Sequence, residues 1–246
     1  MIHNVYKKRG ETPLECLKRF AKIFAKDDSN LVGQKMTYMG RLDPLAEGVL
    51  LVASGADVRR KEEFLGLDKE YEFVALFGFA TDTYDILGKV INETNLSELD
   101  ENELRKVAAV YEGEREQKYP AYSSKMLASK NKEEIQTKKI NIYKIKFHGL
   151  DTLNSKELFG RLLMDITRVN GDFRQVEIFN IWKEKLLGEG IESKNYFLGR
   201  FTAEVSSGTY IRSLVNDMGA TLGCGATTLS IKRTRVGDFS IKDSIK

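Results

Sequence analysis

Along the chain the spacing of apolar and polar residues changes repeatedly, and each change marks an element. Ile2 to Tyr6 reads as a short strand running into Lys7-Lys8-Arg9-Gly10. Thr12-Pro13-Leu14-Glu15 has the capping-box form, with proline at the first helical position and glutamate three residues after threonine. Leu14, Leu17, Phe20, Ala21 and Phe24 then trace the apolar face of an amphipathic helix. Val49 to Ala53 is an unbroken apolar run, as in a strand buried on both faces. The charged stretch from Asp57 to Leu67 predicts a helix, and Lys69 to Gly78 alternates with a two-residue period, as a strand does. Leu104, Val107, Ala108 and Tyr111 mark a further helix face. Ile140 to Phe147 is a further strand, with Lys144 and Lys146 between Tyr143, Ile145 and Phe147.

Between about Gly149 and Gly199 the pattern is less regular. Arg161 to Val169 is strand-like, while Val176, Phe179 and Trp182 fall at helical spacing. An added hairpin and helix is expected there, at the edge of the main sheet, with Phe179 and Trp182 in the core. Phe201, Ala203 and Val205 form a strand that delivers Ser206 to Arg212. A helix through Leu214, Val215, Met218 and Leu222 follows, with Gly223 as its stop.

Composition narrows the class. A chain of 246 residues with 41% hydrophobic and 30% charged residues can bury a full core. Its 39 basic residues are nearly matched by 36 acidic ones, for a net charge of +3, so any nucleic-acid face is a local patch. Two cysteines far apart, Cys16 and Cys224, argue against a disulfide or zinc framework. With His3 and His148 as the two histidines, a histidine triad or metal cage is not expected. No apolar run long enough for a membrane span and no signal peptide is present, which favours a cytoplasmic protein.

The candidate chemistry sits in Gly40-Arg41-Leu42-Asp43-Pro44-Leu45-Ala46-Glu47-Gly48-Val49-Leu50. Proline fixes its own φ and biases the residue before it toward extended conformations, so Asp43 is held on a stiff turn ahead of the buried strand. Asp-Pro is also an ordinary helix start, with aspartate as N-cap. The surrounding residues favour the first reading. The stretch resembles the G-x-L-D-P-x-A-x-G-V-L signature of the TruB family of tRNA pseudouridine synthases. A second block, Ser206-Ser207-Gly208-Thr209-Tyr210-Ile211-Arg212-Ser213-Leu214, resembles the S-x-G-T-Y-I-R-x-L of that family. Leu222 to Ala226 and Lys232 to Gly237 are similar to its closing motifs. The likeness covers most of residues 1–128 and 200–240.

The resemblance implies an α/β fold of α+β type, a mixed and largely antiparallel sheet flanked by helices. It implies one catalytic domain over residues 1–246, with a family-divergent insertion at about 149–199 and no C-terminal RNA-binding (PUA) domain. The activity implied is isomerisation of the T-loop uridine at tRNA position 55, with the T-arm of tRNA as partner, no metal, no cofactor and a monomeric enzyme. Asp43 would be the nucleophile, a role suited to a carboxylate. Arg212 would pair with it and stabilise its charge. Tyr210, two residues before Arg212 in an extended segment, would face the same side as a substrate-contacting hydroxyl. Tyr71 matches the tyrosine that stacks on the target base, where its bland alternative is a core aromatic. Ile231 stands at an apolar position against the base. Tyr38 replaces the usual histidine that helps flip the nucleotide.

Several motif positions depart from the family or carry smaller roles. Lys7, Gly10 and Thr12 match K-P-x-G-x-[ST] apart from Lys8 in place of proline, and Lys7 is either a site residue or a solvated turn. Gln117 to Ser123 resembles Q-x-P-P-x-Y-S-A, but Met126 occupies the place of the lysine that follows, with Lys125 just before it. Thr81-Asp82-Thr83-Tyr84-Asp85 through Gly88 matches T-D-T-x-D-x-x-G, with acids read as structural. Lys232 and Arg233 are the candidate RNA-binding cations. Arg168 and Arg174 either extend that surface or lie on a solvated face. One rival is a glycoside hydrolase, which needs a second acid about 5–10 Å from Asp43, with Glu47 the candidate. A non-catalytic RNA-binding or tRNA-folding module is the other.

Overall fold

The structure is a computed structural model in which residues 1–27, 33–120, 122, 137–189 and 194–246 are described. Its organising element is strand β3 (Ala46–Ser54), the predicted apolar run, buried along almost its whole length. On one side it pairs antiparallel with β1 (Ile2–Lys7), placing Lys7 opposite Gly48. On the other side its first residues run parallel to β10 (Ala226–Val236), and its later ones pair antiparallel with β2 (Met36–Met39). Beyond β10 come β4 (Lys69–Phe77), β9 (Asn195–Val205), β8 (Thr137–Asn154) and β7 (Gly113–Lys118), all antiparallel to their neighbours. The sheet is therefore mixed and largely antiparallel, as expected. A small pair, β5 (Phe79–Thr81) with β6 (Val90–Glu93), stands apart from it.

Alternation along the central strands sorts side chains to two faces. Tyr71, Phe73, Ala75 and Phe77 of β4 join Phe201 and Ala203 of β9 on one face. Helix α3 (Glu101–Val110), capped by the Asp100 carboxylate, covers it with α6 (Ile211–Thr221), the latter through Leu214, Val215 and Met218. Helix α1 (Pro13–Asp27) lies over Val5, Leu50 and Val52, and the capping box predicted for it is present, Glu15 accepting from the Thr12 backbone at 2.7 Å. The short α2 (Lys61–Leu65) follows a 3₁₀ turn over Gly55–Arg60.

The interval 149–199 differs from expectation in two ways. Arg161 to Val169 is not a strand. It belongs to helix α4 (Ser155–Thr167), started by a capping box between Asn154 and Glu157. Leu158, Leu162 and Ile166 recur every four residues and bury one helical stripe, which overrides the local β-forming composition. Helix α5 (Gln175–Leu187) is helical as expected, but its buried stripe is Ile178, Trp182 and Leu186. Phe179 is half-buried against Phe159, and Val176 is 78% exposed. Nor does the pair sit at the sheet edge. It covers the second face, packing on Leu76, Leu198 and Leu229 from three adjacent strands. Among the described residues no helix is long and apolar enough to cross a membrane.

Trp182 is fully buried, stacked edge-on against Phe79, with its indole N–H donating to the Ile86 carbonyl at 3.2 Å. Trp182→Ala should therefore cost about 3–5 kcal/mol in denaturant unfolding. Val176→Ala on the same helix should stay within about 0.5 kcal/mol of wild type.

Candidate active site

The turn from β2 to β3 carries Asp43, and two buried cations fasten it from beneath. Lys7, fully buried, donates from Nζ to the carbonyls of Lys8 and Pro44 at 3.2 Å and of Ala46 at 2.5 Å. Arg233, 1% exposed, donates from Nε to the Val49 carbonyl at 2.7 Å, and from its Nη atoms to Arg41 and Gly40 at 3.2 Å. Gly40 has a φ of 74° and Gly48 a φ of 109°, both in the left-handed region that glycine enters without strain. A Cβ at Gly48 would also collide with the Arg233 backbone carbonyl across the parallel pair.

Arg212, the second residue of α6, meets this turn from the other side. Its Nη2 donates to Asp43 Oδ1 at 3.2 Å. Its Nε lies 2.8 Å from Asp43 Oδ2, although that N–H makes no directed hydrogen bond, so this second contact is one of charge. Nη1 donates to the Thr83 carbonyl at 2.7 Å and sits 3.5 Å from Asp85 Oδ2. Burial works against the Arg212 charge, but Asp43 and Asp85 outweigh it and hold the guanidinium above its ordinary pKa. Asp85 accepts from the Thr83 hydroxyl at 2.7 Å and the Leu87 amide at 3.0 Å, and its burial raises its pKa against the pull of Arg212. The two carboxylates differ in access: the Asp43 side chain is 36% exposed, that of Asp85 12%. Arg212 thus bridges an open acid and a closed one.

Beside Asp43 the packing is apolar. Leu42, Tyr71 and Ile231 are buried in one core cluster, Tyr71 being only 7% exposed, with Ile231 in register with Ala46 and with Phe73. Tyr210 is the N-cap of α6. Its backbone N–H donates to Gln117 Oε1 at 2.7 Å and its carbonyl accepts from Gln117 Nε2 at 3.0 Å. Its ring stands edge-on to Tyr119, centroids 5.5 Å apart. The helix starts at Ile211, so Tyr210 and Arg212 do not share one face of an extended segment, yet Tyr210 contributes to the potential at Arg212.

Other expected residues lie elsewhere. Tyr38 packs on the α1 side, against the cluster of Val5, Cys16, Phe20, Leu50 and Val52. Arg233 is not an RNA-facing cation. In a central strand alternate side chains point inward, and Arg233 points under the Asp43 turn. Its neighbour Lys232 points outward and lies 3.4 Å from Glu72. Lys7 is no solvated turn either. Sequence reasoning missed that both cations are loop anchors, because nothing in a motif says which way a basic side chain turns. Asp82 and Asp85 are structural as expected, Asp82 holding Arg174 at 2.7 Å. Glu47 accepts from the Tyr6 hydroxyl at 2.7 Å, and Asp85 is closed off behind Arg212, so neither is a second open acid for glycoside hydrolysis. Lys125 and Met126 lie outside the described residues. Among the described residues no cluster of metal-ligating side chains occurs.

A buried guanidinium shared by two acids leaves one of them, Asp43, open to solvent beside an apolar core. Residues 29–159 match the family described as TruB family pseudouridylate synthase (N terminal domain). The tRNA pseudouridine synthase B of Thermosipho melanesiensis is 34% identical over 98% of this chain and 66% of its own. The proteins of that name from Thermotoga petrophila and Clostridium tetani are 32% and 31% identical, over 98% and 99% of this chain. The chain belongs to the TruB family. It spans 64% of the Thermotoga petrophila relative's length. In fold it is similar to a chain of a Cbf5-Nop10-Gar1 complex, with a TM-score of 0.60 and 23% identity over 97% of this chain and 49% of that one. An H/ACA RNP bound to a substrate RNA containing 2'-deoxyuridine gives a TM-score of 0.56 at 23% identity, covering 97% of this chain and 48% of that one.

Burial pushes the Lys7 pKa down to about 8, with Cys16 and Asp43 pulling it back up. The unfolded chain therefore holds its lysine proton over a range where the folded one has released it, and stability rises with pH between about 8 and 10. Across that window wild type should gain on Lys7→Met, by at most about 1.4 kcal/mol per pH unit in paired denaturant titrations. Arg233→Gln, which leaves loop carbonyls without donors, should lose about 3 kcal/mol of stability. Measured where it is folded, it should leave the salt dependence of any nucleic-acid binding unchanged, as expected of a cation that meets no phosphate.

Proposed function

We propose that this protein isomerises a uridine in the T-loop of tRNA, at position 55, to pseudouridine. The observation that carries the reading is the Asp43–Arg212 pair, an open carboxylate held by a buried guanidinium from a position 169 residues further along the chain. Asp43 is the nucleophile, and a carboxylate suits a step in which a covalent intermediate forms and is released. In the net reaction the bond from ribose C1′ to uracil N1 breaks and one from C1′ to C5 forms. The C5 proton leaves and N1 takes one up, so no oxidant, reductant or other substrate is consumed.

The other roles follow from placement. Arg212 keeps Asp43 oriented through Nη2 and Nε, while Asp85 and the Thr83 carbonyl keep Arg212 in place. Tyr71, Ile231 and Leu42, at the buried apolar core beside Asp43, are the residues on which an unstacked base would lie once the site takes it up. Tyr210, at the start of α6, stands beside the pair. Lys7 acts through the loop and not on the RNA. The base must leave its stack to reach Asp43. The partner is the T-arm of tRNA, and the free, buried thiols of Cys16 and Cys224 suit a reducing cytoplasm.

Tritium release from tRNA labelled at uracil C5 tests the reading. Asp43→Asn should abolish release, a loss of more than about a thousandfold, while tRNA affinity stays within about threefold of wild type. Release at the wild-type rate by the asparagine variant, with reversion to aspartate excluded by mass, rules out Asp43 as nucleophile. Binding without release by the wild type would instead make the protein a tRNA-binding module.

A further inference from the structure

Helix α4 brings an excess of positive charge to the turn that precedes α1. Asp165, buried, accepts from Arg9 Nη2 at 2.7 Å, and Arg168 Nη1 stands 3.8 Å away from it. Arg161 lies one helical turn before Asp165, on the same face. Three guanidinium groups thus gather round a single carboxylate, with exposed Lys8 next to Arg9 in the turn. The neighbouring acids are engaged elsewhere. Glu11 holds Arg19 at 2.7 Å, and Glu15 accepts from Thr12 and Asn170.

Two details leave the cluster short of counter-charge from the protein. Arg161 is half-buried and makes no hydrogen bond or ion pair among the described residues. Burial and the nearby Arg9 push its pKa below the usual arginine value. The Nε of Arg9 is buried without a hydrogen-bond partner, although Nη2 also donates to the Leu229 carbonyl at 2.7 Å. The cluster is tied to the site by short steps. Gly10 N–H donates to the Pro44 carbonyl at 2.8 Å, and a Cβ on Gly10 would come within 2.6 Å of the Arg168 carbonyl. Pro44 directly follows Asp43.

We propose that Arg161 and Arg168, backed by Arg9, grip a backbone phosphate of the RNA whose uridine lies at Asp43, and that helix α4 carries this grip. Guanidinium forks match phosphate oxygens in geometry as well as charge. The inference rests on the proposed function for its substrate, but its readout is binding and does not need turnover.

The test is filter binding of full-length tRNA to the whole chain between about 50 and 200 mM salt, with kcat and KM measured alongside. The double variant Arg161→Gln with Arg168→Gln should flatten the salt slope by about two units, one for each phosphate-directed charge. KM should rise about tenfold or more at the higher salt, with kcat and melting temperature unchanged. Arg161→Lys with Arg168→Lys should restore most of the slope. Arg59→Gln with Arg60→Gln removes the same charge from the exposed 3₁₀ turn and should change nothing. An unchanged slope in the first variant overturns the proposal, as does an equal flattening by the control. If tRNA binds with the predicted slope but wild type releases no tritium, the enzymatic reading fails while the grip stands.

Discussion

Two lone cations buried under one loop hold the candidate site together. Among the described residues neither Lys7 nor Arg233 pairs with a carboxylate, and each instead spends its donors on backbone carbonyls. Burying a charge is costly unless hydrogen bonds replace its water, and six carbonyls do so here. Four of those carbonyls, at Gly40, Arg41, Pro44 and Ala46, bracket Asp43. With its flanks drawn inward, the aspartate has little backbone freedom left. The geometry is assembled from strands at opposite ends of the chain, β1 and β10 on either side of β3.

Above the loop, Arg212 solves a second electrostatic problem. A buried guanidinium needs counter-charge, and Asp85 supplies part of it from inside the protein. Asp85 is itself stabilised by the Thr83 hydroxyl and the Leu87 amide, so the inner half of the triad is complete without solvent. Asp43 is the outer half and alone keeps substantial exposure. The asymmetry separates a closed, structural acid from an open one on a single arginine.

Helices α4 and α5 are wired to both sides of this arrangement. Arg174 grips Asp82, and Trp182 donates to the Ile86 carbonyl, so α5 holds the loop that carries Thr83 and Asp85. Asp165 of α4 holds Arg9 in the turn bonded to Pro44. Arg174 reaches its partner from a left-handed backbone at φ 62°, a conformation that costs a non-glycine residue about 1 kcal/mol. The helical pair between β8 and β9 is part of the support of the site.

Much of this was legible in the residues. The capping box at Thr12, the apolar run after Ala46, the alternation from Lys69 and the glycine stop at Gly223 are local signals, and local backbone chemistry was enough to place them. Asp43 and Arg212 were legible because each lies inside a dense block of motif residues. Other features depended on long-range packing. Arg161 to Val169 looked strand-like in isolation and became helical because Leu158, Leu162 and Ile166 had the central strands to bury against. Lys232 and Arg233 looked equivalent, and strand parity in a sheet buried on both faces sent one to solvent and the other beneath the loop. The sequence by itself determined which residues carry charge and the elements whose signals are local, such as the capped α1 and the apolar β3. Tertiary structure decided which charges are buried anchors, which are paired and which remain open, because burial and partners are set by segments far apart in the chain.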